Sequence, residues 1–211
     1  MIDLSTYTYL GKTYNIKITR KRMRTIRYRL INDTFLISAP YLCSKGSIKR
    51  GLDKFAEKLI KGQKPASEGK DFIYIFGYKH QFADSGEIKF TNGQIIKFSS
   101  RDEFEKKMRK FFLSVITSRV RLFEGKMGLK PHNVRVRKMT SRYGSNSKHT
   151  NTVSFALSLY HYSYEIIDSI VVHELAHSIH FDHSKAFYDV VYKYCPNYED
   201  LHKKLTKGDY L

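Results

Sequence analysis

The sequence predicts an α+β protein with a β-rich N-terminal part that contains one helix, followed by a mainly helical part with a small sheet. Apolar and polar residues alternate through much of the first hundred residues, as in half-buried strands. Apolar residues then recur with the helical period over residues 100–127 and again from about residue 163. No apolar run is long enough to span a bilayer, so we expect no membrane partner.

The N-terminal part is expected to span residues 1–98. Apolar and polar side chains alternate over residues 26–37 on both sides of an Asn32-Asp33 turn, which predicts a hairpin with one arginine-rich face. From residue 47 the period becomes that of an amphipathic helix, expected over 47–61. Residues 62–69, with glycine at both ends, are the best linker candidate, and short strands are expected to follow them.

The C-terminal part is expected to span residues 99–211, although the two parts could also form one continuous domain. Ser100 and Glu103 form a capping box at the start of its first helix, and Gly128 fits the position just after its end. Two strands and two further helices are expected downstream: strands around 134–136 and 153–157, a helix from about 163, and a helix from about 184 that stops before Pro196.

The chain is strongly basic, with 38 Lys+Arg, 20 Asp+Glu and a net charge of +18. Seven of the thirteen residues in 17–29 are Lys or Arg. Such a cluster predicts that nucleic acid or another polyanion binds the N-terminal part, although a basic surface also serves solubility alone. The candidates for this phosphate-binding face are Lys21, Arg22, Arg24, Arg27 and Arg29.

Cysteine usage and the N-terminus exclude other classes of protein. Cys43 and Cys195 are far apart and form no CxxC, so neither a disulfide framework nor a thiolate zinc site is indicated. The first three residues carry an acid in place of the basic start of a signal peptide, and we therefore expect a cytoplasmic protein.

One pentapeptide, His173-Glu174-Leu175-Ala176-His177, has the HExxH pattern. Histidines four residues apart share one helix face, where both imidazoles can bind one zinc ion at about 2.0–2.1 Å. Glu174 can then act as the general base that activates water held by the zinc. The composition of the chain gives only about 0.016 such matches by chance, so the motif predicts one zinc per chain.

A third zinc ligand is expected further along the chain. His183 lies six residues after His177 and can converge on the ion only if the helix ends first. A break near Phe181 is plausible, because Asp182 and Ser184 are both good N-caps for a new helix. Glu199 is the alternative third ligand, following the His2Glu arrangement of other zinc enzymes.

Other residues are candidates for contacts with substrate or with a developing oxyanion. His180 shares the face of His173, but about 10.5 Å of helix separates the two, so we expect it to support a ligand, to lie in the cleft wall or simply to be solvated. For each candidate, ordinary packing or hydrogen bonding is the alternative. The set comprises Arg142, Tyr143, His180 and Tyr188.

These residues closely resemble the HELAH…NHS..F signature of the YgjP-like metallopeptidases, relatives of the SprT/Spartan-like zincins. The match continues in Asp182-His183-Ser184, Phe187, the RWGS-like Ser141–Ser145 and the P-x-Y-like Pro196-Asn197-Tyr198. The resemblance spans nearly the whole chain. It implies a zincin-like helical core, zinc bound by His173, His177 and His183, and a catalytic Glu174. Departures from the family pattern are Tyr143 for Trp, Asn146 for Cys and Ala156 for Asn.

We therefore expect a zinc metallopeptidase that acts on peptide or protein substrates, with the strand at 153–157 pairing with an extended substrate. Two alternatives remain. The same zinc site could hydrolyse nucleotides or phosphoesters with help from the basic surface. Alternatively, the chain is a nucleic-acid-binding protein whose zinc is structural. Glu174 argues against the last, because a structural site needs four protein ligands and no base.

Overall fold

The computed structural model describes residues 4–31, 33–62 and 65–211, and its contacts divide the chain into two compact units, Met1–Lys64 and Pro65–Leu211. The division falls in the predicted linker, of which residues 63 and 64 lie outside the described residues. It differs from the expected boundary at 98/99. The hairpins between residues 72 and 98 belong to the second unit, because their apolar side chains join its core.

The first unit is a four-stranded sheet covered by one helix. Its strands lie in the order β1-β2-β4-β3, with β2 and β4 parallel and the other pairs antiparallel. The predicted hairpin is the β3–β4 pair, and Asn32 of its turn lies outside the described residues. The elements are β1 (Thr6–Tyr9), β2 (Lys12–Lys21), β3 (Arg27–Ile31), β4 (Thr34–Pro40) and α1 (Lys45–Lys61).

One face of this sheet packs against α1. Phe35 and Ile37 point from β4 toward Ile48 and Leu52 of the helix, and all four are fully buried. The helix begins two residues before its predicted start, after Ser44, whose hydroxyl accepts a hydrogen bond from a backbone N–H of the first turn. The opposite face of the sheet carries polar and charged side chains.

The second unit begins with two β-hairpins and a long helix. Ser100 caps this helix as predicted, since its hydroxyl accepts from the N–H of Glu103. The Glu103 carboxylate reaches back to Ser99 rather than to the cap residue itself. Gly128 ends the helix in the left-handed conformation, with φ 68°. The elements are β5 (Phe72–Ile75), β6 (Tyr78–Gln81), β7 (Gly86–Lys89), β8 (Ile95–Phe98) and α2 (Arg101–Met127).

A three-stranded sheet and three helices complete the second unit. The sheet has the order β10-β11-β9, with β11 parallel to β9 and antiparallel to β10. The sequence did not indicate β10 or α5. The elements are β9 (Asn133–Arg137), β10 (Gly144–Ser147), β11 (Thr152–Ala156), a 3₁₀ turn (Leu157–His161), α3 (Tyr164–Ala176), α4 (Lys185–Tyr194) and α5 (Tyr198–Lys207).

The predicted α+β class is confirmed, with five α-helices and four small sheets in the described residues. One expectation about the sheet was wrong. The strand at 153–157, observed as β11, lies in the centre of its sheet and is paired on both sides, so it cannot receive a substrate strand. Among the described ranges, no helix combines the length and the apolar character needed to cross a bilayer.

Candidate metal centre

The HExxH segment lies on α3 and at its C-terminal end. The helix stops at Ala176, and His177 occupies the cap position with an αR backbone. The backbone N–H groups of residues 178–180 donate to the carbonyls of Leu175 and Ala176, which closes tight turns after the helix. The helix therefore ends before the predicted break near Phe181. The chain can then reverse direction, and α4 begins after Ser184.

This reversal brings three histidines together. His173, His177 and His183 each offer one ligand atom, and these atoms lie within 4.8 Å of one another. Nε2 of His173 and Nε2 of His183 are 3.3 Å apart. Two nitrogens bound to one tetrahedral zinc at 2.0–2.1 Å lie about 3.3–3.4 Å apart, so this donor set fits such an ion.

The other candidate ligand, Glu199, is not part of this group. It lies on the first turn of α5 with an exposed side chain, and its Oε1 accepts a hydrogen bond of 2.6 Å from the hydroxyl of Tyr192. Of the two alternatives for a third ligand, the fold brings only His183 to the HExxH histidines among the described residues.

Two aromatic residues hold the histidine rings in place. Phe187 is fully buried, and its ring centroid lies 4.7–5.0 Å from those of all three histidines. The hydroxyl of Tyr198 lies 2.9 Å from Nδ1 of His173, and the two rings are nearly parallel at 13°. Because Nε2 of His173 faces His183, Nδ1 is the nitrogen left to donate to Tyr198. The sequence offered Tyr198 only as part of a family motif, without a role.

The surroundings favour neutral imidazoles, which is the form that binds a metal ion. Burial, together with the neighbouring rings of His177 and His183, lowers the pKa of His173 to about 3. The pKa of His177 is also lowered, chiefly by burial and by the neighbouring His183. Nδ1 of His177 is buried and has no hydrogen-bond partner among the described residues.

Glu174 lies beside the histidines with only 6% of its surface exposed. Burial raises the pKa of its carboxyl to about 8, against the opposing effect of Arg142. The side chain passes close to β10 at Gly144. A Cβ at that position would lie 2.6 Å from Cγ and 2.7 Å from Cδ of Glu174, so a residue with a side chain would displace the carboxylate.

These groups line a cleft of about 420 Å³ between the end of α3 and β10. Arg142 and Tyr143, both expected near the substrate, are among the lining residues. His180 and Tyr188 do not belong to the described residues that line it. Tyr188 packs against Phe187, with ring centroids 5.2 Å apart, and its part in substrate binding stays a prediction.

The profile of the YgjP-like family, described as its metallopeptidase domain, matches residues 24–208. The chain belongs to the YgjP-like family. The resemblance that the motifs indicated is thereby confirmed, and with it a metal-dependent peptidase and hydrolase. The family implies a divalent metal and peptide or protein substrates.

Two solved structures with partial similarity are metallopeptidase zymogens. Abylysin from Pyrococcus abyssi is 21% identical, with a TM-score of 0.41 over 43% of this chain and 90% of its own. Jannalysin from Methanocaldococcus jannaschii is 20% identical, with a TM-score of 0.38 over 43% of this chain and 96% of its own. A search of curated proteins gave no match.

A partly buried polar network underlies the metal centre of this YgjP-like protein. Asn146 donates to the backbone oxygen of Glu174 at 2.7 Å and to the hydroxyl of Ser178 at 2.9 Å. That hydroxyl lies 2.8 Å from Nε2 of His132, whose Nδ1 lies 2.9 Å from Oε1 of Glu124. The network connects α2 and β10 to the end of α3, where the HExxH helix stops, and no sequence pattern indicated it.

The predicted phosphate-binding residues all lie in the first unit. Four of the five line one groove on the exposed face of its sheet, namely Lys21, Arg22, Arg27 and Arg29. Arg24 is exposed in the connection between β2 and β3 and is not among the described residues that line the groove.

Proposed function

We propose that this YgjP-like protein is a zinc-dependent peptidase in which His173, His177 and His183 hold one zinc ion and Glu174 is the general base. The observation that carries the proposal is the convergence of three imidazoles, within 4.8 Å, beside a buried carboxyl in one cleft. Bound zinc would supply a Lewis acid for the scissile carbonyl.

Glu174 is the residue that moves protons in this proposal. Its carboxylate takes a proton from the attacking water and later delivers it to the nitrogen of the leaving amine. A pKa raised by burial suits both steps, since the group can accept and release a proton near neutral pH. A cation held by the histidines favours the ionised form, which is the form that accepts the proton.

The open edge of β10 offers a place for an extended substrate. The N–H of Ala156 donates to the carbonyl of Tyr143, so alternate residues of β10 bond to β11. The backbone groups of Gly144 and Asn146 therefore face the open edge. A peptide added there by strand pairing would run beside Glu174, which is the role first expected of the strand at 153–157.

Two observations favour a peptidase over the alternatives. A structural zinc site closes with four protein ligands, whereas the group among the described residues has three. Arg142 is the only Lys or Arg among the described residues that line the cleft, so a polyphosphate would find little compensating charge there. The site therefore favours peptide hydrolysis over both a structural zinc and nucleotide hydrolysis.

A substrate panel tests the proposal. Purified protein is stripped of metal with a chelator and reloaded with zinc, and both forms are incubated with a mixed peptide library and with a nucleotide panel. We expect the zinc-loaded form to cleave peptides, the stripped form to be inactive, and neither to hydrolyse nucleotides. Nucleotide hydrolysis that depends on zinc, without peptide cleavage, would overturn the assigned substrate class.

A further inference from the structure

The sheet face of the first unit that points away from α1 carries side chains in two rows. The register of β2, β4 and β3 aligns Lys17, Leu36 and Arg29 in one row. The next row consists of Thr19, Ser38 and Arg27. With Lys21, Arg22 and Met23 at one end, these residues line a groove of about 610 Å³. We call this surface the basic sheet face.

Within the part of the chain that the structure describes, no acidic side chain pairs with the positive charges of the basic sheet face. None of its five cations, Lys17, Lys21, Arg22, Arg27 and Arg29, forms an ion pair with a described residue, and no carboxylate is among the lining residues. The described acids of this unit pair elsewhere: Asp33 with Lys12, Asp53 with Lys49 and Glu57 with Lys61.

Arg20 lies in β2 beside Lys21, but its guanidinium is engaged in hydrogen bonds within the first unit. Its side chain lies on the other face of β2 and donates to the carbonyls of Pro40 and Cys43, at 2.8 and 2.6 Å. The cations of the basic sheet face make no such contacts in the described residues. Their charge is therefore available to an anionic partner.

Aromatic side chains are absent from the described lining of the groove. Tyr14 and Phe35 are buried in the core, and the hydroxyl of Tyr28 bonds to the carbonyl of Ile48 in α1. The described lining therefore has no aromatic platform for base stacking, which single-stranded nucleic acid uses. Two hydroxyls, of Thr19 and Ser38, lie between the cations and are suited to phosphate oxygens.

We propose that the basic sheet face binds the phosphate backbone of duplex nucleic acid without regard to sequence. Cations and hydroxyls supply contacts to phosphate, which carry no sequence information, and the described lining has no aromatic ring for stacking on bases. A duplex presents one charge per about 1.7 Å, the highest density a nucleic acid offers to such a surface. The face shares no residue with the metal centre, and the proposal does not depend on the proposed peptidase activity.

A salt titration by fluorescence anisotropy tests this proposal, with a short labelled DNA duplex of arbitrary sequence as the probe. Five phosphate contacts predict a slope of log Kobs against log salt of about −4.5. The variant Arg27→Glu/Arg29→Glu should flatten that slope by about 1.5 to 2 units. The milder variant Arg27→Gln/Arg29→Gln should do the same if charge reversal disturbs the fold.

The matched control is Lys54→Glu/Lys58→Glu, which makes the same charge change on exposed positions of α1. It should leave the slope near the wild-type value, and a second duplex sequence should bind equally well. Three results would overturn the proposal: no detectable binding at low salt, a control that flattens the slope as much as the Arg27/Arg29 variants, or equal competition by poly-glutamate. The last would assign the face to acidic proteins instead.

Discussion

The hydroxyl of Tyr198 lies 2.9 Å from Nδ1 of His173, and the two residues are separated by 25 positions in the chain. Tyr198 is 4% exposed, so the hydrogen bond is shielded from water. A partner of this kind fixes the orientation of a ligand ring and the nitrogen that faces the metal. The first turn of α5 thus determines how α3 presents its first histidine.

Replacing Tyr198 by Phe should weaken zinc binding by about 10–100-fold, because Nδ1 of His173 loses its acceptor while the ring packing is kept. Competition with a chromogenic chelator measures the affinity. The control is Tyr192→Phe, since Tyr192 bonds to Glu199 and not to a candidate ligand. An unchanged affinity in Tyr198→Phe would mean that the hydroxyl does not position the ligand.

Glu174→Gln should keep zinc and lose at least about 100-fold in kcat, because an amide cannot accept the proton of the attacking water. Metal content and peptide cleavage are measured on the same preparation. Glu165→Gln changes an exposed glutamate of the same helix and should leave both unchanged. Near-wild-type turnover by Glu174→Gln would assign the base to another residue.

Gly144→Ala should reduce peptide cleavage without loss of zinc. The added methyl group would lie 2.6 Å from Cγ of Glu174 and force its carboxylate out of position. Gly125→Ala is the control, since a Cβ there meets nothing within 4 Å. If the Gly144 variant cleaves peptides at the wild-type rate, the position of the Glu174 carboxylate is not critical.

Glu124→Gln should lower the free energy of unfolding by about 3 kcal/mol, because it leaves the buried partners of the carboxylate unmatched. Glu124 is 3% exposed and accepts from both the backbone N–H and Nδ1 of His132. Urea denaturation measures the change. The control is Glu105→Gln, on the same helix as Glu124, which removes only an exposed ion pair with Lys138. It should lower the free energy of unfolding by less than about 1 kcal/mol. Equal effects of the two substitutions would refute a special role for the buried network.

His161 should make the protein less stable in acid. Burial lowers its pKa to about 4, although its hydrogen bond to the carbonyl of Tyr74 opposes the shift. The unfolded chain takes up this proton below about pH 6.5 and the folded chain only near pH 4. Stability should therefore fall over that window as the pH decreases, by up to about 3 kcal/mol.

The comparison that isolates this effect uses His161→Asn, whose amide can still donate to Tyr74. Urea denaturation of metal-free protein at several pH values should show a shallower loss of stability in this variant. His149→Asn, at an exposed turn position, should follow the wild type. Parallel curves for wild type and His161→Asn would show that His161 does not titrate in this window.

The parts of the metal centre that could be predicted depend on short-range patterns. The spacing of His173 and His177 follows from the helical repeat, and the convergence of His183 follows from a helix that must end. Tyr198 was missed because its contact spans 25 residues and α5 was not predicted. The apolar positions of α5, Tyr198, Leu201 and Leu205, have helical spacing that could have indicated it.

Pairing between distant strands could not be predicted from local alternation. The segment at 153–157 has the pattern of a strand, but nothing in that pattern shows whether the strand lies at an edge or in the centre. Likewise, the network from Glu124 to Asn146 joins residues on four separate segments. Its members are ordinary polar residues until the fold brings them within hydrogen-bonding distance of one another.

The most direct test of zinc binding by the three histidines is an anomalous difference map at the zinc absorption edge, from crystals grown with zinc. The proposed three-histidine site predicts one strong peak per chain, about 2.0–2.1 Å from a ring nitrogen of each of His173, His177 and His183, with no fourth protein ligand. A peak coordinated by Glu199 in place of His183, or no peak among the three histidines, would contradict it.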